Sequence, residues 1–136
     1  MTGRDDISGY VWDNAALTCA HDYLVPALLA EMARLQPTAT SSSSGRRVFE
    51  LGCGNGSVAN VLAQRGWDVT GVDPSTEGIA QANAQYPALK LEEGSAYDDL
   101  AARYGRFPVV TSLEVVEHVY FPRQYAATLF SLLESG

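Results

Sequence analysis

A glycine-rich segment between a short apolar run and a helical pattern constrains this fold most. The segment VFELGCGNGSV spans residues 48–58, and its glycines are Gly52, Gly54 and Gly56. Glycine allows a positive φ and lets a ligand approach the backbone closely. The helix that follows presents N–H groups at its positive end, which suits a strongly polar or anionic ligand group. The segment therefore predicts a strand, a ligand-binding loop and a helix, in that order.

An acidic residue follows this loop at the place that nucleotide-binding folds use. Asp73 directly follows the next predicted strand, DVTGV, which spans residues 68–72. A carboxylate there accepts hydrogen bonds from the hydroxyls of a ribose. Because adjacent parallel strands end at the same edge of a sheet, the loop and Asp73 are expected to form one site. The alternative is that the glycines only form a tight turn and that Asp73 caps the next helix.

Strand and helix patterns alternate along the chain. The predicted strands are 47–51, 68–72, 89–92 and 107–113. The predicted helices are 13–35, a segment from Val58 that stops at Gly66, 75–85 with Ser75 as N-cap, 98–104 and 124–134. This alternation indicates βαβ units with right-handed crossovers. The sequence therefore predicts an α/β fold, with a Rossmann-like, doubly wound parallel sheet.

Composition divides the chain into three parts. Residues 1–36 are predicted to form an N-terminal helical cover, 37–45 (PTATSSSSG) a Ser/Thr-rich linker, and 46–136 the α/β domain. In the cover, Tyr10 and Trp12 are hypothesised to fold over the bound ligand as a lid. Four strands are few for a parallel sheet, which normally buries both faces. We therefore expect a domain truncated after its fourth strand and final helix, with a half-domain completed by homodimerisation as the alternative.

The charge balance disfavours some classes of partner. The chain has 9 Lys and Arg against 16 Asp and Glu, a net charge of −7, and no basic stripe. A nucleic-acid backbone or an anionic membrane surface is therefore not expected as the principal partner. No apolar stretch is long enough to span a bilayer, and the polar start lacks signal-peptide features. Because Cys19 and Cys53 belong to no CxxC pair, a reducing, cytoplasmic location is expected.

The spacing of the glycines distinguishes between the motifs of different nucleotide cofactors. A G-x-G-x-x-G dinucleotide fingerprint would need glycine where Ser57 stands, and no GK[ST] follows to make a P-loop. The observed G-x-G-x-G, with Glu50 two residues ahead, resembles the first motif of class I S-adenosylmethionine (SAM)-dependent methyltransferases, (E/D)-x-G-x-G-x-G. The resemblance extends from about Arg47 to the end of the sequence. An NAD-linked oxidoreductase and a cofactor-binding module without activity are the alternatives.

The resemblance implies roles for particular residues. Gly52 and Gly54 would pass close to the methionine end and the ribose of SAM, and Glu50 would order the loop from beneath. Asp73 would hold the ribose hydroxyls, and Pro74 would pack near the adenine.

Two later segments complete the implied cofactor site. Residues 93–96 (EGSA) resemble an adenine-facing loop that is usually Gly-Asp-Ala, a pattern from which Ser95 departs. Leu113 and Glu114 would touch the sulfonium end. Cys53 is interpreted as a small buried residue of the loop rather than as a reactive thiol. The full set of implied cofactor-binding residues is Glu50, Gly52, Cys53, Gly54, Gly56, Asp73, Pro74, Ser95, Ala96, Leu113 and Glu114.

The segment SLEVVEHV, residues 112–119, follows the fourth predicted strand. On a helical turn, Glu114, Glu117 and His118 would share one face. Two carboxylates and an imidazole suit a divalent cation such as Mg²⁺, with further ligands from elsewhere. The ExxEH pattern resembles the ubiquinone-biosynthesis O-methyltransferase family, in which a divalent metal is implicated. The alternative is that the segment only shapes the pocket, as a similar LEHV stretch does in many class I methyltransferases.

These interpretations predict a SAM-dependent methyltransferase that acts on a small molecule, at a hydroxyl oxygen. Methyl transfer is an in-line displacement for which the protein supplies alignment and electrostatics. A phenolic acceptor, with a pKa of about 10, must lose its proton before or during attack. His118 is the predicted general base, and a metal that lowers the hydroxyl pKa is the alternative. The small-RNA end-methylating enzymes also carry ExxEH, but an RNA substrate fits the net charge poorly.

Overall fold

The computed structural model of the protein describes residues 21–35 and 46–135. The predicted lid residues Tyr10 and Trp12 and the predicted linker lie outside the described residues. Helix α1, His21–Arg34, is the described part of the predicted helical cover.

The remaining elements alternate between strand and helix, as the sequence pattern predicts. They are β1 (Arg47–Leu51), α2 (Ser57–Gln64), β2 (Asp68–Asp73), α3 (Thr76–Gln85), β3 (Lys90–Glu93), α4 (Leu100–Tyr104), β4 (Val109–Thr111), a 3₁₀ turn (Val116–His118) and α5 (Pro122–Leu132). The predicted N-cap of α3 is confirmed, because the Ser75 hydroxyl accepts a hydrogen bond from the N–H of Gly78 at 3.0 Å. The predicted end of α2 is also confirmed, since Arg65 caps the helix and Gly66, the next residue, takes a φ of 90°.

Strand β4 is shorter than its predicted span of 107–113. At one end, the Phe107 N–H donates to the Leu132 carbonyl at 2.7 Å, and Phe107 forms an isolated parallel bridge with Leu133. At the other end, the Ser112 hydroxyl donates to the Leu51 carbonyl at 2.8 Å, which ties the chain to the end of β1. The flanking residues therefore join β4 to neighbouring elements instead of extending its ladder.

The four strands form one parallel sheet in the order β3-β2-β1-β4. The strand order reverses at β1, because β2 and β3 lie on one side of it and β4 on the other. Open α/β sheets bind ligands outside the carboxyl ends of the strands at such a reversal. The topology therefore predicts a ligand site at the loops after β1, β2 and β4.

Apolar side chains of β1 alternate between the two faces of the sheet. Val48 joins a core cluster with residues of α1, α2 and α3, including Met32 and Leu62. Phe49 and Leu51 join a second cluster with residues of α4 and α5. Helices therefore cover both faces, which confirms the predicted doubly wound architecture. Of the helices that the structure describes, none combines the length and apolarity needed to cross a bilayer.

Candidate functional site

A cavity lies at the carboxyl ends of β1, β2 and β4. Its empty space is about 780 Å³, part of which is open to solvent. The predicted site residues that line it are Glu50, Gly52, Cys53, Asp73, Pro74, Ala96, Leu113, Glu114 and His118. The cavity is also lined by residues outside the predicted set, which are His21, Leu51, Asn55, Ser57, Val58, Val72 and Val115, and by Gly94 of the predicted adenine-facing segment.

The glycine loop has the backbone conformation that the sequence predicts. Gly52, Gly54 and Gly56 have φ values of 85°, 53° and 81°. The N–H groups of Gly52 and Cys53 both donate to the Val72 carbonyl, at 2.8 and 3.0 Å. The loop is therefore folded back onto the end of β2.

The glycines at the two ends of the loop make close contacts within the protein. A Cβ on Gly52 would collide with the side chain of Val115, which lies in the segment after β4. A Cβ on Gly56 would lie 2.8 Å from Leu91 Cδ1 and 3.0 Å from Ala82 Cβ. Gly56 therefore packs against α3 and β3, and neither it nor Gly54 is among the described residues that line the cavity.

Asp73 joins the glycine loop to the start of α3. One carboxylate oxygen accepts a hydrogen bond from the Gly54 N–H and the other accepts one from the Ser75 N–H, both at 2.9 Å. The side chain is 5% exposed and lines the cavity. A carboxylate oxygen can accept more than one hydrogen bond. Asp73 therefore stabilises the turn and still has acceptor capacity for a ligand.

Glu50 is a buried carboxyl group at the base of the cavity, with 2% of its surface exposed. Its Oε2 accepts no hydrogen bond from the residues that the structure describes. Burial, and secondly the charge of Asp73, raise the pKa of Glu50 to about 8. Glu50 is therefore mostly protonated at neutral pH.

The raised pKa of Glu50 predicts a dependence of stability on pH. The folded protein holds this proton more tightly than the unfolded chain, whose Glu has the ordinary value of 4.5. The stabilisation is therefore fully present below about pH 4.5 and is lost as the pH rises towards about 8. Relative to Glu50→Gln, the wild-type free energy of unfolding should fall by on the order of 2 kcal/mol from pH 5 to pH 7.

Urea denaturation at the two pH values measures this difference. Glu77→Gln, which changes an exposed carboxylate of α3, is the matched control and should keep the wild-type slope. Equal slopes for wild type and Glu50→Gln would contradict the assignment of the proton to Glu50.

The loop after β3 is ordered by its own side chains. The Ser95 N–H donates to Asp98 Oδ2 at 2.8 Å, and the Ser95 hydroxyl accepts from the Tyr97 N–H at 3.1 Å. Gly94 and Ala96, on either side, line the cavity, whereas Ser95 is not among the described lining residues. Ser95 therefore uses its hydroxyl and its N–H for hydrogen bonds within the loop, where the family motif usually has an aspartate.

The prediction that Glu114, Glu117 and His118 share a helical face is wrong. Glu114 has a φ of 55°, and the 3₁₀ turn begins only at Val116. Val115 lies between Glu114 and this turn and is buried against Gly52. The left-handed conformation of Glu114 precedes this contact directly in the chain.

The predicted metal site is not formed either. His118 Nε2 lies 3.5 Å from Glu117 Oε1, and His118 lines the cavity together with Glu114. In the described part of the chain, no three His, Cys, Asp or Glu side chains are grouped so that they could hold a metal ion. The residues present therefore do not fit the predicted divalent cation.

His21 is a cavity residue for which the sequence showed no role. It begins α1, is 7% exposed, and lines the same cavity as Glu114 and His118. Burial lowers the pKa of His21, and the carboxylates of Glu114 and Asp22 oppose that effect only in part. No local spacing relates position 21 to the loops after the strands, so a single sequence held no signal for this placement.

Cys53 is a buried residue of the glycine loop. Burial, followed by the charges of Glu50 and Asp73, raises the pKa of its thiol well above the ordinary value. Because the thiolate is the reactive form, this thiol is a poor nucleophile. The position agrees with the interpretation of Cys53 as a small buried residue.

Curated proteins similar to this chain carry one common name. The ubiquinone biosynthesis O-methyltransferase of Psychrobacter arcticus is 35% identical over 107 residues, covering 74% of this chain and 42% of that protein. The enzyme of that name from Cereibacter sphaeroides is 35% identical over 121 residues, covering 87% of this chain and 49% of that protein. The chain thus spans about half the length, or less, of the curated relatives it matches.

Solved methyltransferase structures share the fold. A SAM-bound amino pentose methyltransferase from Micromonospora echinaspora superposes with a TM-score of 0.65 at 23% identity, covering 88% of this chain and 48% of that one. The magnesium protoporphyrin IX methyltransferase of Synechocystis, with bound S-adenosylhomocysteine (SAH), superposes with a TM-score of 0.59 at 25% identity. The match covers 85% of this chain and 51% of that one.

The family assignment rests on a match to most of the chain. Residues 21–136 match the family described as "Methyltransferase domain". Together with the curated relatives and the shared fold, this match confirms the resemblance that the glycine loop suggested. The chain belongs to the methyltransferase domain family, within the class I SAM-dependent methyltransferases.

Proposed function

We propose that the cavity binds SAM and that the protein serves methyl transfer to a hydroxyl oxygen of a small molecule. The observation that carries the proposal is the hydrogen bond from Gly54 to Asp73, which joins the glycine loop to the acid at the end of β2. This bond joins the two parts of the cofactor motif, and Gly52 and Cys53 of the loop line the same cavity as Asp73. Asp73 supplies a polar group in a cavity that is otherwise lined largely by apolar atoms, which suits a ligand with both apolar and hydroxyl-bearing parts.

The lining residues support one orientation of the cofactor. Asp73 lies beside Pro74, and Gly94 and Ala96 line the cavity from the neighbouring loop, which suits the ribose and the adenine. Leu113 and Glu114 line it at the end of β4, which suits the sulfonium. The methyl acceptor would therefore approach from the side of the segment after β4.

For methyl transfer, the protein must align SAM with the acceptor hydroxyl and must accept the proton of that hydroxyl. When bound, SAM supplies a methyl carbon on a good leaving group. His118 lines the cavity near the proposed sulfonium end, and its neighbour Glu117 would stabilise an imidazolium there. We therefore propose His118 as the general base. His21 is the second candidate, because it lines the same cavity.

The substrate class is proposed from the curated relatives. Their name, ubiquinone biosynthesis O-methyltransferase, supports a phenolic hydroxyl as the acceptor. An acidic chain with a net charge of −7 also suits a small neutral phenol better than RNA. No step here is assigned to a metal, because the described residues do not fit one.

A methyl-transfer assay with a panel of ortho-dihydroxybenzenes tests the proposal. His118→Gln is expected to lower kcat about 100-fold, since a positioned base contributes on the order of 10² to 10⁴ in rate. Glu117→Gln is the matched control and should change kcat only severalfold. EDTA should leave the wild-type rate unchanged.

The same assay distinguishes the two candidate bases and tests the acceptor class. A full rate in His118→Gln with a large loss in His21→Gln would move the base to α1. SAM binding without transfer to any hydroxyl in the panel would contradict the phenol assignment and favour a binding module without activity.

A further inference from the structure

The segment after β4, residues 112–121, forms one wall of the cavity, but little regular structure determines its shape. Leu113, Glu114, Val115 and His118 from this segment line the cavity. Glu114 has a φ of 55°, and the 3₁₀ turn that follows is closed by a hydrogen bond from the His118 N–H to the Val115 carbonyl at 2.9 Å. A helical turn this short is weak by itself, so contacts with other elements must set the position of His118.

The start of this segment is fastened to β1 and to the glycine loop. The Ser112 hydroxyl donates to the Leu51 carbonyl at 2.8 Å and accepts a hydrogen bond from the Tyr125 hydroxyl at 2.6 Å. The Val115 side chain then packs against Gly52. These contacts fix the segment as far as Val115, which lies ahead of the turn.

The end of the segment is held by a phenol oxygen. The Tyr97 hydroxyl oxygen accepts hydrogen bonds from the N–H groups of Tyr120 and Phe121, at 2.9 and 3.2 Å. The rings of Tyr97 and Phe121 also meet edge to face, with their centroids 5.5 Å apart. Tyr97 therefore holds the chain just beyond His118 and just before the start of α5.

Tyr97 belongs to the loop after β3, on the side of the cavity proposed for the adenine. Gly94 and Ala96 of that loop line the cavity. The Tyr97 N–H donates to the Ser95 hydroxyl at 3.1 Å, and the Tyr97 ring packs against the core cluster on the α4 and α5 side of the sheet. One side chain therefore joins the loop proposed to contact the adenine to the turn that bears the proposed general base.

We propose that Tyr97 is a positioning residue for methyl transfer, which fixes the His118 turn relative to the bound cofactor. This inference rests on the proposed function, in which His118 accepts the proton of the acceptor hydroxyl. Tyr97 is not among the described residues that line the cavity, so it acts through the backbone of Tyr120 and Phe121. Because a misplacement of about 1 Å can cost on the order of 100-fold in rate, this tether affects turnover more than cofactor affinity.

Tyr97→Phe removes the hydroxyl and keeps the ring, so it isolates the tether. Both hydrogen bonds lie near the surface, where water can replace the lost oxygen, and the variant should therefore fold. We expect kcat to fall on the order of tenfold and the KM for SAM to stay within about threefold of wild type. Tyr23→Phe, which removes an exposed hydroxyl of α1, is the matched control and should keep both wild-type values. An unchanged kcat in Tyr97→Phe, with or without a raised KM for SAM, would overturn the inference.

A double-mutant cycle with His118→Gln distinguishes positioning of the base from a general structural role. If Tyr97 acts through His118, Tyr97→Phe should lower kcat less than about twofold once the base is absent. Losses that multiply in the double variant would overturn this inference and leave the proposed function intact. A wild-type rate in His118→Gln alone would instead contradict the proposed general base, and with it this inference.

Amide hydrogen exchange of the 136-residue chain tests the tether without an acceptor substrate. The amides of Tyr120 and Phe121 should exchange about tenfold faster in Tyr97→Phe than in wild type, because their hydrogen-bond acceptor is lost. In Tyr23→Phe the two amides should exchange at the wild-type rate. Equal exchange rates in wild type and Tyr97→Phe would overturn the inference.

Discussion

Gly56→Ala is expected to lower the free energy of unfolding by about 4 kcal/mol, because it combines backbone strain with a packing clash. Gly56 has a φ of 81°, which costs an alanine on the order of 1–2 kcal/mol. The added methyl group would also lie 2.8 Å from Leu91 Cδ1 and 3.0 Å from Ala82 Cβ. Because β3 and α3 hold those atoms, neither can move aside cheaply.

Gly66→Ala is the matched control for this substitution. Gly66 has a φ of 90°, but its added Cβ would meet only the terminal nitrogen of Arg46, at 3.0 Å. That flexible end can move, so the control should lose on the order of 1–2 kcal/mol, from the backbone alone. Urea denaturation of both variants measures the difference. Equal losses would contradict the account of Gly56 as a packing glycine.

Asp73→Asn is expected to weaken SAM binding about 100-fold and to destabilise the fold by roughly 1–3 kcal/mol. The two carboxylate oxygens accept the N–H groups of Gly54 and Ser75. An asparagine has one acceptor oxygen and one amide donor, so one of those N–H groups would face another donor. The glycine loop would then lose its tie to α3, and the ribose would lose a charged acceptor.

Asp98→Asn is the matched control, because Asp98 also accepts a backbone N–H, that of Ser95, but at an exposed position. It should cost less than about 0.5 kcal/mol, since water can replace the lost acceptor. Calorimetric titration with SAM and urea denaturation of both variants separate the two effects. A destabilised Asp73→Asn variant with unchanged SAM affinity would show that Asp73 only stabilises the turn, and it would contradict the proposed hydrogen bonds to the ribose.

The parts of the site that follow from local spacing could be predicted from the sequence. A strand, three glycines, a helix and an acid in this order lie on two adjacent parallel strands, so chain geometry alone brings Gly54 and Asp73 together. The Ser75 cap is local in the same way, since its hydroxyl reaches a donor three residues ahead. The positive φ values of the loop follow from the glycines themselves.

The parts that depend on tertiary contacts could not be predicted. Glu114 leaves the helical conformation because Val115 packs against Gly52, which is distant in sequence. His21 reaches the cavity because α1 packs on the α2 and α3 side of the sheet, and nothing near position 21 indicates this. Ser95 is directed into its loop by its hydrogen bonds with Tyr97 and Asp98. The helical cover, the homodimer and the methyl acceptor stay predictions.

Direct binding of radiolabelled SAM to the 136-residue chain tests whether the cavity selects SAM. Equilibrium dialysis should give one bound SAM per chain, displaced by S-adenosylhomocysteine and unaffected by an excess of NAD⁺. The glycine spacing, with Ser57 where a dinucleotide site needs glycine, is the reason to expect this selectivity. Displacement by NAD⁺, or the absence of any bound SAM, would contradict the account.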